Sequence, residues 1–186
     1  MPLGMVGGRV MNRFVRYGSR VLSVVVLVFT LNAQTTNEAK LVGKWKLNIA
    51  KSQSQGAPRP VEATLVISEA SASHFKWHLT EAFANHDRGR IVWKDSSFDG
   101  AIDGQPYEYK GAGRGSRMSF VDNNGILEGT VKYQETAKHP DGMVENETIA
   151  VSADGNTMTA QSTLTSPEGT ESWNEVWERV PDKKPK

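Results

Sequence analysis

The sequence contains no cysteine among its 186 residues. This absence excludes a disulfide scaffold, a cysteine nucleophile and a zinc site with thiolate ligands. The chain also lacks an excess of either charge: its formal net charge is +1, whereas a dedicated nucleic-acid-binding protein is normally strongly basic. What remains is the composition of a folded globular protein with one domain or at most two.

Acidic residues are missing from the first 33 positions, although these positions carry four arginines. An apolar run from Val21 to Leu31 follows the arginines, and Ala33 precedes a polar segment. A basic stretch, a short apolar run and a small residue before a polar one are typical of a secretory signal peptide. The run has about 11 to 13 residues, whereas a helix that spans a bilayer needs about 20. We therefore expect residues 1–33 to be a signal peptide cleaved near Ala33; an uncleaved N-terminal anchor is the alternative.

The chain that remains after this cleavage differs in charge from the precursor. Losing the four arginines changes the net charge from +1 to −3, so the mature protein is mildly acidic and no nucleic-acid partner is expected. We expect residues 34–180 to form one domain and residues 181–186 to form a polar tail. The mature protein is expected in the periplasm or outside the cell, without a stable membrane span.

Turn signals divide the second half of the chain at nearly even intervals. They end at Gly125, Gly142, Gly155 and Gly169. Asn-Gly and Asp-Gly sequences favour the positive φ values of tight hairpin turns. Their spacing leaves strands longer than the usual length of about 5 to 6 residues. Long strands joined by short hairpins form an antiparallel meander, and closing it into a barrel removes the exposed edges.

Apolar and polar residues alternate with a period of two along the mature chain. Phe75, Trp77 and Leu79, for example, alternate with His, Lys and His. This pattern is typical of sheets with one buried face, and no segment shows a sustained helical period. We predict an all-β, antiparallel up-and-down barrel of about 8–10 strands, with a short helical turn over 37–41 and a loop over 51–60. The predicted strands are 41–48, 61–69, 74–84, 90–98, 105–110, 117–121, 126–135, 143–152, 156–164 and 170–180.

A Gly-x-Trp sequence opens the first predicted strand, from Gly43 to Trp45, and Arg179 stands near the end of the last. This combination resembles the lipocalins and their calycin relatives. The longer opening, residues 41–52, resembles that of secreted bacterial lipocalin-like domains, and the resemblance covers most of residues 38–180. It implies a lipocalin-like barrel in which Trp45 closes one end and Arg179 lies across its indole ring. It also implies that Gly43 lets the backbone pass close to a neighbour, and that a cup-shaped interior holds a small, mostly apolar molecule.

Aromatic residues of the predicted strands are candidates for lining this interior, because their rings are apolar and several carry polar tips. Arg117, in the glycine-rich segment 111–117, is a candidate for contacting a carboxylate or phosphate head group, as is Arg114. The alternative is that the aromatic residues pack a filled core. The predicted ligand-binding residues are Phe75, Trp77, Trp93, Tyr107, Tyr109, Arg117, Phe120 and Tyr133.

Other titratable residues give weaker indications of chemistry. His74 and His78 stand four apart on a strand, about 13 Å along it, and therefore cannot chelate one metal ion. Two pairs of carboxylates share strand faces, and we interpret both pairs as outward and solvated: Glu145 with Glu147, and Glu171 with Glu175. Consequently no catalytic residue, metal site or cofactor is predicted.

Three functions fit the sequence. The first is an exported lipocalin-like protein that binds a small hydrophobic or amphipathic ligand in its barrel. The second is a barrel enzyme, an isomerase or a hydrolase, acting on a lipid-like substrate; it requires an inward titratable group with a shifted pKa. The third is a non-catalytic envelope interaction module, which predicts a filled barrel and an exposed apolar patch.

Overall fold

A computed structural model gives the fold of the protein. It describes residues 37–56, 58–71, 73–85, 89–111, 113–134 and 142–181, all of which belong to one compact unit, Gln34–Lys186. The predicted signal peptide and residues 182–186 of the predicted tail lie outside the described residues. Both therefore stay predictions.

The described residues form eleven strands, preceded by a short 3-10 helix over Asn37–Lys40. None of their helices is long and apolar enough to cross a membrane. The strands are β1 (Gly43–Leu47), β2 (Gln53–Gln55), β3 (Glu62–Ser71), β4 (His74–Asn85), β5 (Arg90–Gly100), β6 (Tyr107–Lys110), β7 (Arg117–Asn123), β8 (Ile126–Tyr133), β9 (Met143–Val151), β10 (Thr157–Ser166) and β11 (Gly169–Arg179).

The sheet closes on itself through β1. From β3 to β11 each strand pairs antiparallel with the next, and β1 pairs with both β3 and β11. Trp45 faces Leu65 across one of these ladders and Arg179 across the other. Ten strands of the described chain thus form a closed antiparallel up-and-down barrel, which confirms the predicted fold class.

The remaining strand, β2, continues the path of β1 along β11. Ser54 pairs with Trp173, while Leu47 pairs with Trp177 nearer the other end of β11. Between them the chain bulges over residues 48–52, where the Val176 amide donates a hydrogen bond to the Ser52 hydroxyl at 3.0 Å. The sequence predicted a loop over 51–60 because the segment is rich in Ser, Gln, Gly and Pro; the prediction is wrong over Gln53–Gln55, which pairs with β11 as β2.

One half of the barrel is filled by aromatic side chains. We call the end where β5, β7 and β9 finish the floor, and the end where β4, β6, β8 and β10 finish the mouth. Phe75, Phe98 and Phe120 meet near the floor. The rings of Phe75 and Phe98 each form an edge-to-face pair with Phe120, at centroid distances of 5.0 and 5.2 Å, and are tilted relative to each other. Each of the three is about 1% exposed. Edge-to-face pairs of this kind add to the hydrophobic stabilisation of a core.

Arg179 fastens the floor to the N-terminal segment. Its guanidinium carbon lies 4.2 Å from the centroid of the Trp45 ring. Its Nε donates to the carbonyl of Gly155 at 2.6 Å and its Nη1 to the carbonyl of Val42 at 2.7 Å, and its Nη2 donates to the carbonyl of Lys40. The side chain therefore joins the β9–β10 turn, the last strand and the helix that covers the floor.

Gly43 leaves the space that this arrangement needs. Its φ is +146°, and a Cβ added there would stand 2.3 Å from Nη1 of Arg179. Any larger residue would displace the guanidinium and adopt a backbone conformation that side chains disfavour. Gly43, Trp45 and Arg179, which the resemblance singles out, thus make one joint contact.

Replacing Arg179 with alanine should destabilise the protein. It should not change the lining of the cavity described below, to which Arg179 does not belong. The change removes three charged hydrogen bonds and the cation–π contact, so we expect the free energy of unfolding to fall by about 2–4 kcal/mol. Urea denaturation followed by tryptophan fluorescence measures it. Lys44→Ala, on the exposed face of β1, is the control and should change stability by less than about 0.5 kcal/mol. Equal losses in both variants would contradict this role of Arg179.

Candidate functional site: the barrel cavity

A cavity of about 400 Å³ lies between the aromatic cluster of the floor and the segment that follows β1 at the mouth. Apolar side chains form most of its lower wall, and polar side chains increase in number toward the mouth. The residues of the strands that line it include Leu47, Leu65, Ile67, Phe75, Trp77, Leu79, Glu81, Lys94, Tyr109, Met118, Phe120, Val131, Tyr133, Glu145, Glu147, Ile149, Met158, Ala160, Leu164, Glu171, Trp173, Glu175 and Trp177.

The structure brings five of the eight predicted ligand-binding residues together at this cavity. They come from four different strands and face the same space, as the period-two pattern predicts for inward positions. The rings of Trp77 and Tyr109 form an edge-to-face pair at a centroid distance of 5.7 Å. The five are Phe75, Trp77, Tyr109, Phe120 and Tyr133; their binding of a ligand stays a prediction.

The other three lie away from the cavity. Trp93 is 57% exposed, since it alternates with the inward positions Lys94 and Phe98 of β5 and so falls on the outer face. Arg117 is exposed on the outer face of β7, next to the inward Met118, and is therefore not placed to meet a head group inside the barrel.

Tyr107 shares a face with Tyr109 but stands nearer the floor. Its ring meets Phe98 edge-on at 6.1 Å, and its hydroxyl donates a hydrogen bond to Asp103 at 2.9 Å. It closes the floor behind the phenylalanine cluster instead of lining the cavity. The alternation of apolar and polar residues correctly predicts that Tyr107 is on the inner face of β6. It does not predict how far along the barrel axis the ring lies.

The interpretation of the glutamate pairs as outward and solvated is wrong. All four line the cavity, on the inward faces of β9 and β11. The sequence did carry a signal for this: Glu147 is two residues from the buried Ile149, and Glu175 lies between Trp173 and Trp177, which also line the cavity. Side chains two apart on a strand share a face, so the buried neighbours indicate the direction of the carboxylates.

Glu145 is hydrogen-bonded to a tyrosine inside the barrel. The hydroxyl of Tyr133 donates to Oε2 of Glu145 at 2.5 Å. Burial raises the pKa of Glu145, and this hydrogen bond offsets part of the effect. Burial and the neighbouring Glu145 charge also raise the pKa of Tyr133, which keeps the phenol protonated.

Glu147 follows Glu145 along the inward face of β9. Burial raises its pKa well above the ordinary value, and the charges of Glu145 and Glu175 raise it further. Gly129, its partner across the ladder, leaves room for it: a Cβ at Gly129 would stand 2.8 Å from the Phe120 ring and 3.5 Å from Oε2 of Glu147. The missing side chain therefore lets the carboxylate and the ring share one space.

Glu175 completes an inner group of three carboxylates. Burial raises its pKa to about 7, and the charge of Glu81 adds to this, while the Trp177 indole donates a hydrogen bond to it at 3.0 Å. Glu81 is also raised in pKa by burial, and the positive charge of Lys94 opposes that shift. Together these groups can supply hydrogen-bond donors when protonated and negative charge when ionised.

The two cations of the lining are already engaged. The ammonium of Lys94 stands 4.6 Å from the centroid of the Phe83 ring and faces Glu81 across the ladder. Arg59 donates hydrogen bonds from Nη2 to the carbonyls of Ile49 and Ser52, at 2.7 and 2.6 Å, in the segment that borders the mouth.

Neither of the two histidines that the structure describes contributes to the cavity. His74 lies 3.3 Å from Asp99, and His78 lies 3.4 Å from Asp95, on the outer faces of β4 and β5. Among the residues that the structure describes, no group of His, Cys, Asp or Glu is arranged to hold a metal ion.

Comparison with known proteins finds only distant similarity. No family model and no curated protein matches the sequence. Among solved structures, a zebrafish ileal bile acid-binding protein complexed with cholic acid aligns with 76% of this chain and 99% of its own, at 13% identity and a TM-score of 0.44. An S-type phycobiliprotein lyase from Guillardia theta aligns with 78% of this chain and 91% of its own, at 10% identity and a TM-score of 0.49. A de novo designed fluorescence-activating β-barrel aligns with 78% and 98%, at 14% identity and a TM-score of 0.35. Similarity this low assigns neither a family nor a ligand.

The raised pKa values predict that stability falls as the pH rises from about 5 to 7.5. In this range the folded protein holds protons on buried carboxyls that the unfolded chain has released, so the free energy of unfolding decreases by up to about 1.4 kcal/mol per pH unit for each titrating group. Glu175, with its pKa of about 7, contributes over most of this window. Glu175→Gln should therefore reduce the slope, which urea denaturation at a series of pH values measures. Glu108→Gln, at an exposed position of β6, should leave the slope unchanged; an equal effect of both variants would contradict the assignment.

Proposed function

We propose that this protein is an exported, lipocalin-like binding protein whose barrel holds one small hydrophobic or amphipathic molecule. The observation that carries the proposal is the cavity of about 400 Å³ inside the closed barrel. Protein interiors are normally packed without such voids, and ligand pockets begin at about 300 Å³. A barrel that acted only as a scaffold would fill this space with side chains.

The lining also suits a small ligand. Trp77, Tyr109 and Trp177 offer aromatic faces, and the carboxylates and the tyrosine hydroxyls offer a limited number of polar contacts. Binding pockets for small molecules typically combine an apolar wall with a few polar groups that fix orientation. The presence of the cavity speaks against the envelope interaction module, which predicts a filled barrel.

A barrel enzyme is the second candidate, and one observation favours it. The Tyr133–Glu145 hydrogen bond places a carboxyl of raised pKa inside the cavity, which is the inward titratable group that acid–base chemistry requires. Native mass spectrometry of protein purified from its own host distinguishes the two. A binding protein should carry an adduct that is recovered unchanged, whereas an enzyme should convert that molecule on incubation.

Export is proposed on the N-terminal sequence alone. If residues 1–33 are removed, N-terminal sequencing of protein recovered from the periplasm or the medium should begin at Gln34. A chain in that fraction that still carries residues 1–33 would contradict cleavage and favour the uncleaved anchor.

A neutral fluorescent probe tests the cavity directly. N-phenyl-1-naphthylamine should bind with a stoichiometry of one, gain emission and quench the tryptophans of the cavity, and Trp77→Ala should diminish this quenching. Ala160→Phe fills the cavity and should weaken binding at least about tenfold, which corresponds to about 1.4 kcal/mol. Ala150→Phe is the matched control, because Ala150 alternates with the inward Ile149 and lies on the outer face of β9. If no emission change saturates, or if both phenylalanine variants bind the probe like the wild type, the proposed function fails.

A further inference from the structure

The polar lining of the cavity is unbalanced in charge. Its described part carries five glutamates but only two cations, Lys94 and Arg59. Lys94 pairs with Glu81 across the ladder and its ammonium lies over the Phe83 ring. Arg59 donates hydrogen bonds to backbone carbonyls at the mouth. Within the described residues, the inner carboxylates of Glu145, Glu147 and Glu175 therefore have no ion-pair partner.

At this position, within the part of the chain that the structure describes, one buried hydroxyl and one carboxylate that lines the cavity have no hydrogen bond. Ser162 is 2% exposed, its Oγ has no hydrogen-bond partner, and it pairs with Glu147 across the β9–β10 ladder. It is near enough to Glu145 to lower the pKa of that carboxyl, but it lies outside hydrogen-bond geometry. The carboxylate of Glu147 lines the cavity and likewise accepts no hydrogen bond. Buried polar groups of native proteins are normally satisfied, so the unpaired Ser162 hydroxyl beside Glu147 is an exception that needs a reason.

Aromatic rings surround the same carboxylates. Trp173 pairs with Ser162 across the next ladder, and Trp177, whose indole is bound to Glu175, lines the cavity beside it. Tyr109 and Trp77 face them from the opposite side of the interior. The negative faces of aromatic rings attract cations, most strongly where water is excluded.

We propose that the molecule held in the barrel is an organic cation, with a protonated amine or amidinium group among Glu145, Glu147 and Glu175 and an apolar body on the aromatic floor. This inference rests on the proposed ligand-binding function. An ammonium group supplies donors for the Glu147 carboxylate, which lines the cavity and has no hydrogen bond among the described residues. It also compensates charges whose burial without a partner is unfavourable. A metal ion is a poorer occupant, because the described residues hold no group arranged to ligate one.

Three isosteric probes test the charge of the ligand on the unmodified full-length protein. They are 1-naphthylmethylamine, which is a cation at pH 7.5, the neutral 1-naphthalenemethanol, and the anion of 1-naphthoic acid. Isothermal titration calorimetry at pH 7.5 should give an affinity for the amine at least about tenfold higher than for the alcohol, and the anion should bind most weakly.

Isosteric variants then locate the cation. Glu147→Gln and Glu175→Gln should each lower the affinity for the amine by about tenfold and change that for the alcohol by no more than about twofold. Glu128→Gln is the matched control, since Glu128 is exposed on the outer face of β8 and should leave both affinities unchanged. Circular dichroism verifies that each variant is folded.

The outcomes separate this inference from the function on which it rests. If the alcohol binds as tightly as the amine, or if the amine preference survives both variants, the cation site is wrong and the binding barrel stands. A preference for the anion would also overturn it. If none of the three probes binds and N-phenyl-1-naphthylamine does not bind either, the proposed function fails, and the cation site with it.

Discussion

The pairing of β1 with two strands at once determines the rest of the structure. Because β1 is hydrogen-bonded to both β3 and β11, it closes the barrel and fixes the register of the sheet at this seam. Every strand must then present a fixed set of side chains to the interior. Arg179 reinforces that seam from the floor by its contact with the Trp45 ring and its three hydrogen bonds to backbone carbonyls. A slip of one residue would exchange the buried and exposed faces, moving Trp177 outward and Glu178 inward.

This constraint explains what the sequence could predict and what it could not. The alternation around Phe75 and Trp77 fixed their face, and the strand bounds followed from turns with glycine. The same parity rule, applied from the buried Phe98, places Trp93 outside, and applied from Ile149, places Glu147 inside. At both positions residue type and parity disagree: an indole favours the interior and a carboxylate favours solvent, but the strand places Trp93 outside and Glu147 inside. Depth along the barrel axis is different: Tyr107 and Tyr109 share a face, and only the packing of Phe98 against Tyr107 decides which of the two reaches the cavity.

The buried carboxylates destabilise the folded state when they ionise, and the packing of the floor offsets this loss of stability. Glu147 and Glu175 have raised pKa values, so the interior favours their neutral forms and the protein loses stability when they ionise. The phenylalanine cluster, which adjoins the Glu147 carboxylate, and the Trp45–Arg179 contact supply stability at the floor of the same barrel. Local rules of burial are broken in natural proteins chiefly at functional sites, where other parts of the fold compensate. In this barrel, which has no disulfides, the packed floor beneath the acidic cavity supplies that compensation.

The interruption between β1 and β2 determines where the barrel wall opens beside the cavity. Trp45 and Lys46 of β1 pair with strands on both sides, but among the described residues β2 pairs only with β11. Pro58 and Pro60 have no backbone donor, so this stretch is poorly suited to extend a ladder toward β3, and Arg59 holds it instead by bonds to the carbonyls of residues 49 and 52. These residues border the cavity. The barrel wall is therefore closed at the floor, where β1 pairs with both β3 and β11, and it has a break at the mouth, where β2 pairs only with β11. A strand paired along its whole length on both sides would leave no such break beside the cavity that holds the carboxylates.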